Sequence, residues 1–147
     1  MAYTYEYPRA AVTADILLLK KKGNSCSVLL IERKRPPFEG MWALPGGFLE
    51  MNETLEETAQ RELQEETSIT GVQLEQFHTF SNLNRDPRHR TITTVYYGFA
   101  EEAAPTPSVG DDAAKAEWFS MDALPPLAFD HSFVIEMAKT KLEITFP

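Results

Sequence analysis

Residues 47–69 read GFLEMNETLEETAQRELQEETSI. They set one glycine, several carboxylates and one arginine at fixed spacing: Gly47, then Glu53, then Arg61-Glu62-Leu63, then Glu65-Glu66, then Ser68-Ile69. Between Glu50 and Glu66 seven residues are acidic and only Arg61 is basic. Like charges at helical spacing repel, so the segment is built for a cation. Thr54-Leu55-Glu56-Glu57 fits a capping box, with the Thr54 side chain accepting from the Glu57 amide and Glu57 reaching back to the Thr54 amide. That predicts a helix starting at Leu55. Leu55, Ala59 and Leu63 recur every four residues as a packed stripe, and the helix runs to about Thr67 before Ser68 and Gly71 interrupt it. Glu62, Glu65 and Glu66 then share one face at i, i+3 and i+4. At 100° per residue, Glu62 and Glu66 fall within about 20° of Leu55, so the cluster borders the buried stripe.

Partly desolvated carboxylates of one sign require neutralisation. Hard oxygen donors suit magnesium, with manganese as the alternative, and magnesium commonly sits between a few carboxylates and the phosphates of a substrate. The implied substrate carries a diphosphate, and the implied reaction is hydrolysis of a phosphoanhydride. Gly46 and Gly47 allow close approach of backbone to the helix or a ligand. Glu53 offers a further ligand or a contact to metal-bound water. Arg61 either orients a carboxylate by bidentate hydrogen bonding or reaches a phosphate, and the spacing leaves both open.

The remaining chain fits that chemistry. Its 147 residues, 43% hydrophobic, have the size of one globular domain, expected to span 1–147. The net charge of -8 argues against a general nucleic-acid or anionic-membrane surface. Cys26, the single cysteine, has no partner for an intramolecular disulfide. Residues 1–9 lack the basic and apolar regions of a secretion signal, and the longest aliphatic runs are four residues, so a soluble, cytoplasmic protein is expected.

Residues 11–19 and 27–33 read as strands joined by a polar loop, and Pro45-Gly46-Gly47 reads as a loop that breaks an extended chain. Residues 72–80 and 91–100 read as a hairpin whose tip carries Arg85, Arg88 and Arg90. These arginines are candidates to contact the substrate, and Phe38, Trp42, Phe80 and Phe129 are candidates to stack on a nucleobase. Residues 101–114 have loop composition, 115–120 a short strand, and 132–143 a second helix that Asp130 is placed to cap. His131 beside it is explained by capping and packing.

The 47–69 spacing resembles the Nudix hydrolase box, G-x5-E-x7-R-E-U-x-E-E-x-G-U, where U is a bulky aliphatic residue. One position departs: Ser68 stands at the last glycine, where a left-handed helix end costs a serine on the order of 1 kcal/mol more than glycine. The resemblance implies an α/β fold, the Nudix-type α/β/α sandwich, with a mixed sheet between helices and the box as loop, helix and loop. It implies Glu62, Glu65 and Glu66 as metal-binding positions, Glu53 as an accessory acid and Arg61 as organiser of the carboxylates. It does not assign the general base, for which Glu101, Glu102, Asp111, Asp112 and Glu117 are available. PFEGMWALPGG at 37–47, Arg85-Asp86-Pro87-Arg88-x-Arg90 and Phe129-Asp130-His131 are similar to the branch containing ADP-ribose pyrophosphatases, in which homodimers are common. That branch includes regulators that bind ADP-ribose-type ligands and carry an added DNA-binding domain, for which the sixteen or so residues after 131 are too short. The expected activity is cleavage of a nucleoside diphosphate linked to another moiety, ADP-ribose to AMP and ribose 5-phosphate foremost. The alternatives are hydrolysis of an ordinary or oxidised nucleoside triphosphate, or a module that senses ADP-ribose without turnover.

Overall fold

The computed structural model describes residues 2–101, 106–110 and 113–142. In chain order the elements are β1 (Ala11–Lys22), β2 (Ser25–Arg33), β3 (Trp42–Ala43), β4 (Gly46–Phe48), α1 (Leu55–Thr67), β5 (Glu75–Phe80), β6 (Thr91–Ala100), β7 (Ala113–Ser120) and α2 (His131–Lys141). The central order is β3-β2-β1-β6-β5, with β4 paired to β1 and β7 to β2. β1 runs parallel to β6 from Ala11 beside Thr91 to Lys20 beside Ala100, and the other pairings are antiparallel.

β1 and β2 extend further than their aliphatic cores suggest, because Lys22 pairs with Ser25 and leaves only Gly23-Asn24 as the turn. Gly23 has φ 61°, the positive value that the first central residue of a type II′ hairpin needs. The lysines of 20–22 therefore end a strand instead of forming a loop. Gly46-Gly47 also differs from expectation. The segment is a short strand, with Ala14 opposite Gly47 and Asp15 opposite Gly46, because glycines lacking side chains can lie flat against β1.

Alternation along β1 builds both cores. Ala14, Ile16 and Leu18 pack with Ala59 and Leu63 of α1, while Leu17 and Leu19 pack with Val134, Ile135 and Ala138 of α2. The strand is buried on both faces, which is why its sequence is a continuous apolar run. This is the α/β/α sandwich with a mixed sheet. Cys26 lies in the α2-side core, where burial pushes its thiol pKa up, as expected of an inert residue. Among the described residues, no helix is long and apolar enough to cross a membrane.

Candidate active site

The capping box forms as predicted: the Thr54 hydroxyl accepts from the Glu57 amide at 3.1 Å and Glu57 accepts from the Thr54 amide at 3.0 Å. It fixes the start of α1 and hence the rotation that points Glu62 and Glu66 into a cleft of about 460 Å³. Asp15, Gly46, Gly47 and Phe48 form the floor beside them, and Arg33, Lys34, Arg35 and Arg88 line it as well. The cleft thus carries carboxylates and guanidinium groups together, a charge pattern suited to a metal-bound anion.

Glu66 is buried, and the Gly46 amide donates to its Oε1 at 3.0 Å. Burial drives its carboxyl well above the ordinary range, and the neighbouring Glu62 and Asp15 charges add to that rise. Burial likewise raises the Glu62 carboxyl, with Arg61 pulling the other way. Both glycines are needed here. A Cβ on Gly47 would run into the Glu62 carboxylate, and one on Gly46 into the Asp15 carboxylate and the Ala14 carbonyl.

Arg61 is committed to protein groups. Its fork donates to both Glu53 oxygens at 2.9 and 2.7 Å, to Glu62 at 2.8 Å and to the Phe48 carbonyl at 3.1 Å. Three of these four bonds go to carboxylate oxygens. Glu53 also accepts from the Thr58 hydroxyl and the Glu50 amide, and the Arg61 contact holds its carboxyl down to about 2.

Glu65 departs from the three-carboxylate expectation. It is 55% exposed, lies 3.3 Å from Arg61 and does not line the cleft. The reason is angular: residue 65 stands 100° from residue 66 around the helix, on the side where Arg61 competes for it. Among the described residues no three His, Cys, Asp or Glu side chains converge into a metal cage. The donor set nonetheless fits magnesium, which keeps several waters and takes one or two carboxylates plus substrate phosphates. A cation beside buried Glu66 and half-buried Glu62 would offset the repulsion and desolvation that raise both carboxyls.

The three hairpin arginines divide. The Arg85 side chain is buried and binds Asp130 bidentately at 2.9 and 2.7 Å, at the cleft wall. Asp130 consequently makes no side-chain cap on α2, contrary to its predicted role. Arg88 reaches the cleft while bonded to Asp86 at 3.1 and 2.8 Å. Burial raises the Asp86 carboxyl, but the Arg88 bonds outweigh it and the net shift is downward. Arg90 donates to the Ser81 and Asn82 carbonyls and stays outside the cleft.

Of the four aromatic candidates only Phe129 lines the cleft. Phe38 packs edge-on against it, Trp42 packs against Phe119, and Phe80 is core. Phe48, Arg33 and Asp15 are cleft residues that the sequence reading did not single out. Asp15 had a legible signal, a lone carboxylate inside the apolar run AVTADILLL. Arg33 and Phe48 had none, because one ends an ordinary strand and the other follows a glycine pair. Among the five base candidates, Glu101 and Glu117 are exposed away from the cleft, and Glu102, Asp111 and Asp112 lie outside the described residues.

A mixed sheet between helices, with a capped acidic helix aimed into a cleft, defines the class of protein. The NUDIX domain family model matches residues 9–138, and the chain belongs to that family as a Nudix hydrolase. It is 40% identical over 132 residues to an ADP-ribose pyrophosphatase of Methanocaldococcus jannaschii, covering 90% of this chain and 73% of that protein. It is 33% identical over 141 residues to the ADPR responsive transcriptional repressor NtrR of Acinetobacter baylyi, covering 93% of this chain but 56% of the repressor, so it spans little more than half of that relative. Among solved structures, a MutT/nudix family protein from Enterococcus faecalis superposes with a TM-score of 0.84 at 31% identity, over 97% of this chain and 66% of the other. The NUDIX domain of Shewanella oneidensis NrtR complexed with ADP ribose superposes with a TM-score of 0.83 at 32% identity, over 92% and 90%.

Proposed function

We propose that this protein is a magnesium-dependent pyrophosphohydrolase that cleaves a nucleoside diphosphate linked to another moiety. ADP-ribose, yielding AMP and ribose 5-phosphate, is the favoured substrate. The observation that carries this reading is the pair of buried Glu66 and half-buried Glu62, both driven toward protonation and both facing a cleft that Arg33 and Arg88 also line. Glu62 and Glu66 are the primary metal ligands, and exposed Glu65 is the peripheral one. A bound magnesium or manganese ion supplies charge neutralisation at the diphosphate and a more acidic water. The chain's own groups do the positioning. Gly46 N–H aims Glu66, Arg61 and Glu53 hold Glu62, and Arg33 and Arg88 face the substrate's remaining negative charge. Phe48 and Phe129 offer apolar surface to the substrate's organic part. The substrate choice is supported by the relative named as an ADP-ribose pyrophosphatase. A cytoplasmic location and pairing of two copies belong to the same reading.

A second reading, an ADP-ribose sensor without turnover, is favoured by the likeness to the repressor and to the domain complexed with ADP ribose. One assay separates them. Purified protein is incubated with magnesium, or with chelator, and ADP-ribose, nicotinamide dinucleotides, sugar nucleotides and oxidised nucleoside triphosphates, and products are identified by mass. Metal-dependent AMP from ADP-ribose is expected. Pyrophosphate from a triphosphate would replace the substrate, and saturable binding with no hydrolysis would establish the sensor. Glu66→Gln is expected to lower kcat/KM by more than about 100-fold, beyond the range typical of residues that merely orient a ligand, while the fold persists. Wild-type rates in that variant would refute the metal assignment.

A further inference from the structure

His131 opens α2, yet its side chain serves the cleft. It is buried, and its Nδ1 accepts from the Leu44 backbone amide at 3.0 Å. An amide N–H can only donate, so Nδ1 carries no proton and the neutral ring keeps its hydrogen on Nε2. Nε2 lies 3.8 Å from Asp15 Oδ2, the oxygen that also accepts from the Thr93 hydroxyl at 2.7 Å. Burial favours the neutral ring. Asp15 of β1 and the adjacent Asp130 oppose it, and Arg85 of the β5–β6 loop and Arg33 of β2 reinforce it.

Leu44 is the hinge of a short chain of contacts. The Pro45 carbonyl accepts from the Ile16 amide at 2.7 Å, and the Gly46 amide donates to Glu66. Gly46 sits so close to Asp15 and the Ala14 carbonyl that no side chain would fit there. On the other side, the Trp42 amide donates to the Pro126 carbonyl and the Ala128 amide donates to the Trp42 carbonyl. The 42–46 segment is therefore clamped between β1 and the entry to α2, with His131 as the side-chain contact on Leu44.

We propose that His131 is a positioning residue for the metal site: through Leu44 it fixes the Gly46 amide, and through that amide the orientation of Glu66. The inference rests on the reading of Glu66 as a metal ligand. A histidine that merely filled space would make a different prediction, because packing depends on volume and positioning depends on one acceptor atom.

His131→Asn and His131→Gln separate the two. Asn places Oδ1 where Nδ1 stands, whereas Gln keeps more volume but carries its polar atoms further out, near the Nε2 position. Manganese affinity, measured by electron paramagnetic resonance, is expected to stay within about threefold of wild type in His131→Asn and to fall about 10- to 100-fold in His131→Gln, the range typical of groups that orient a metal ligand. kcat should follow the same order, with KM nearly unchanged, and exchange of the Leu44 and Gly46 amides should quicken only in His131→Gln. If Gln matches or exceeds Asn, the positioning role is overturned. So is it if the 15N spectrum of the wild-type protein shows a protonated Nδ1, a measurement that needs no variant to fold. Should the wild-type protein hydrolyse nothing, the proposed reaction fails, and metal affinity and amide exchange still decide the role of His131.

Discussion

Ser68 ends α1 at φ 65° and ψ 11°, the left-handed conformation that glycine adopts without strain. Its hydroxyl donates to the Ser108 carbonyl at 3.0 Å and accepts from the Ser108 hydroxyl at 2.8 Å, contacts that glycine cannot make. The serine trades backbone strain of about 1 kcal/mol for two exposed hydrogen bonds worth a similar sum. Ser68→Gly should therefore unfold in urea within about 1 kcal/mol of wild type, and Ser68→Ala, which keeps the strain and loses the bonds, about 1 kcal/mol lower. An alanine variant as stable as wild type would show that the Ser108 contacts contribute nothing. Glu66 gives a pH signature at the same scale. Its folded-state pKa is raised, so without metal its contribution to stability is present at low pH and is lost as pH rises through the folded value. A divalent ion binds the ionised form. The rise in Tm on adding magnesium should be small at acidic pH and grow toward neutrality, as read by calorimetry. A magnesium effect independent of pH would separate the ion from this carboxylate.

α1 and β4 meet at a contact that only the absence of side chains permits. A methyl group on Gly47 would strike Glu62, while the backbone there needs no positive φ. Gly47→Ala is therefore expected to displace the carboxylate with little penalty to β4 itself: activity falls about 10- to 100-fold, as for other changes that disturb a ligand's support, while Tm changes by a few degrees. Equal activity would mean that Glu62 has room to move. Gly46 differs, since its neighbours include the Ala14 backbone, which cannot yield as a side chain can. Two adjacent glycines of identical appearance in the sequence thus have separate roles, one toward Glu62 of α1 and one toward the central strand.

At the scale of the molecule, Arg85 and Asp130 tie the β5–β6 loop to the start of α2 across 45 residues of sequence. Both side chains are largely buried, at 4% and 15% exposure. Removing one partner from a buried pair leaves an uncompensated charge, so Arg85→Ala should lose about 3 kcal/mol of stability. Adding Asp130→Asn to Arg85→Ala should cost less than the sum of the single changes, as a double-mutant cycle by denaturant unfolding will test. Additivity would mean that the two act independently. Of the three hairpin arginines, Arg85 alone is drawn inward by this pair, while Arg88 and Arg90 stay exposed and bond Asp86 and the loop carbonyls.

By itself the sequence determined the features that are local or periodic. The capping box, the helix stripe of Ala59 and Leu63, and the inward bias of Glu62 and Glu66 all follow from spacing, because helix geometry converts residue number directly into direction. Tertiary structure decided whatever depends on partners far apart in the chain. It turned Gly46-Gly47 into a strand, took Asp130 from its cap, drew Arg61 to Glu53 and left Glu65 outside the cleft. It also brought Asp15, Arg33 and His131 to one site from β1, β2 and α2. A hydrogen bond such as that from Leu44 to His131, 87 residues apart, has no signature in local spacing, since its energy depends on distances that exist only once the sheet and both helices have packed.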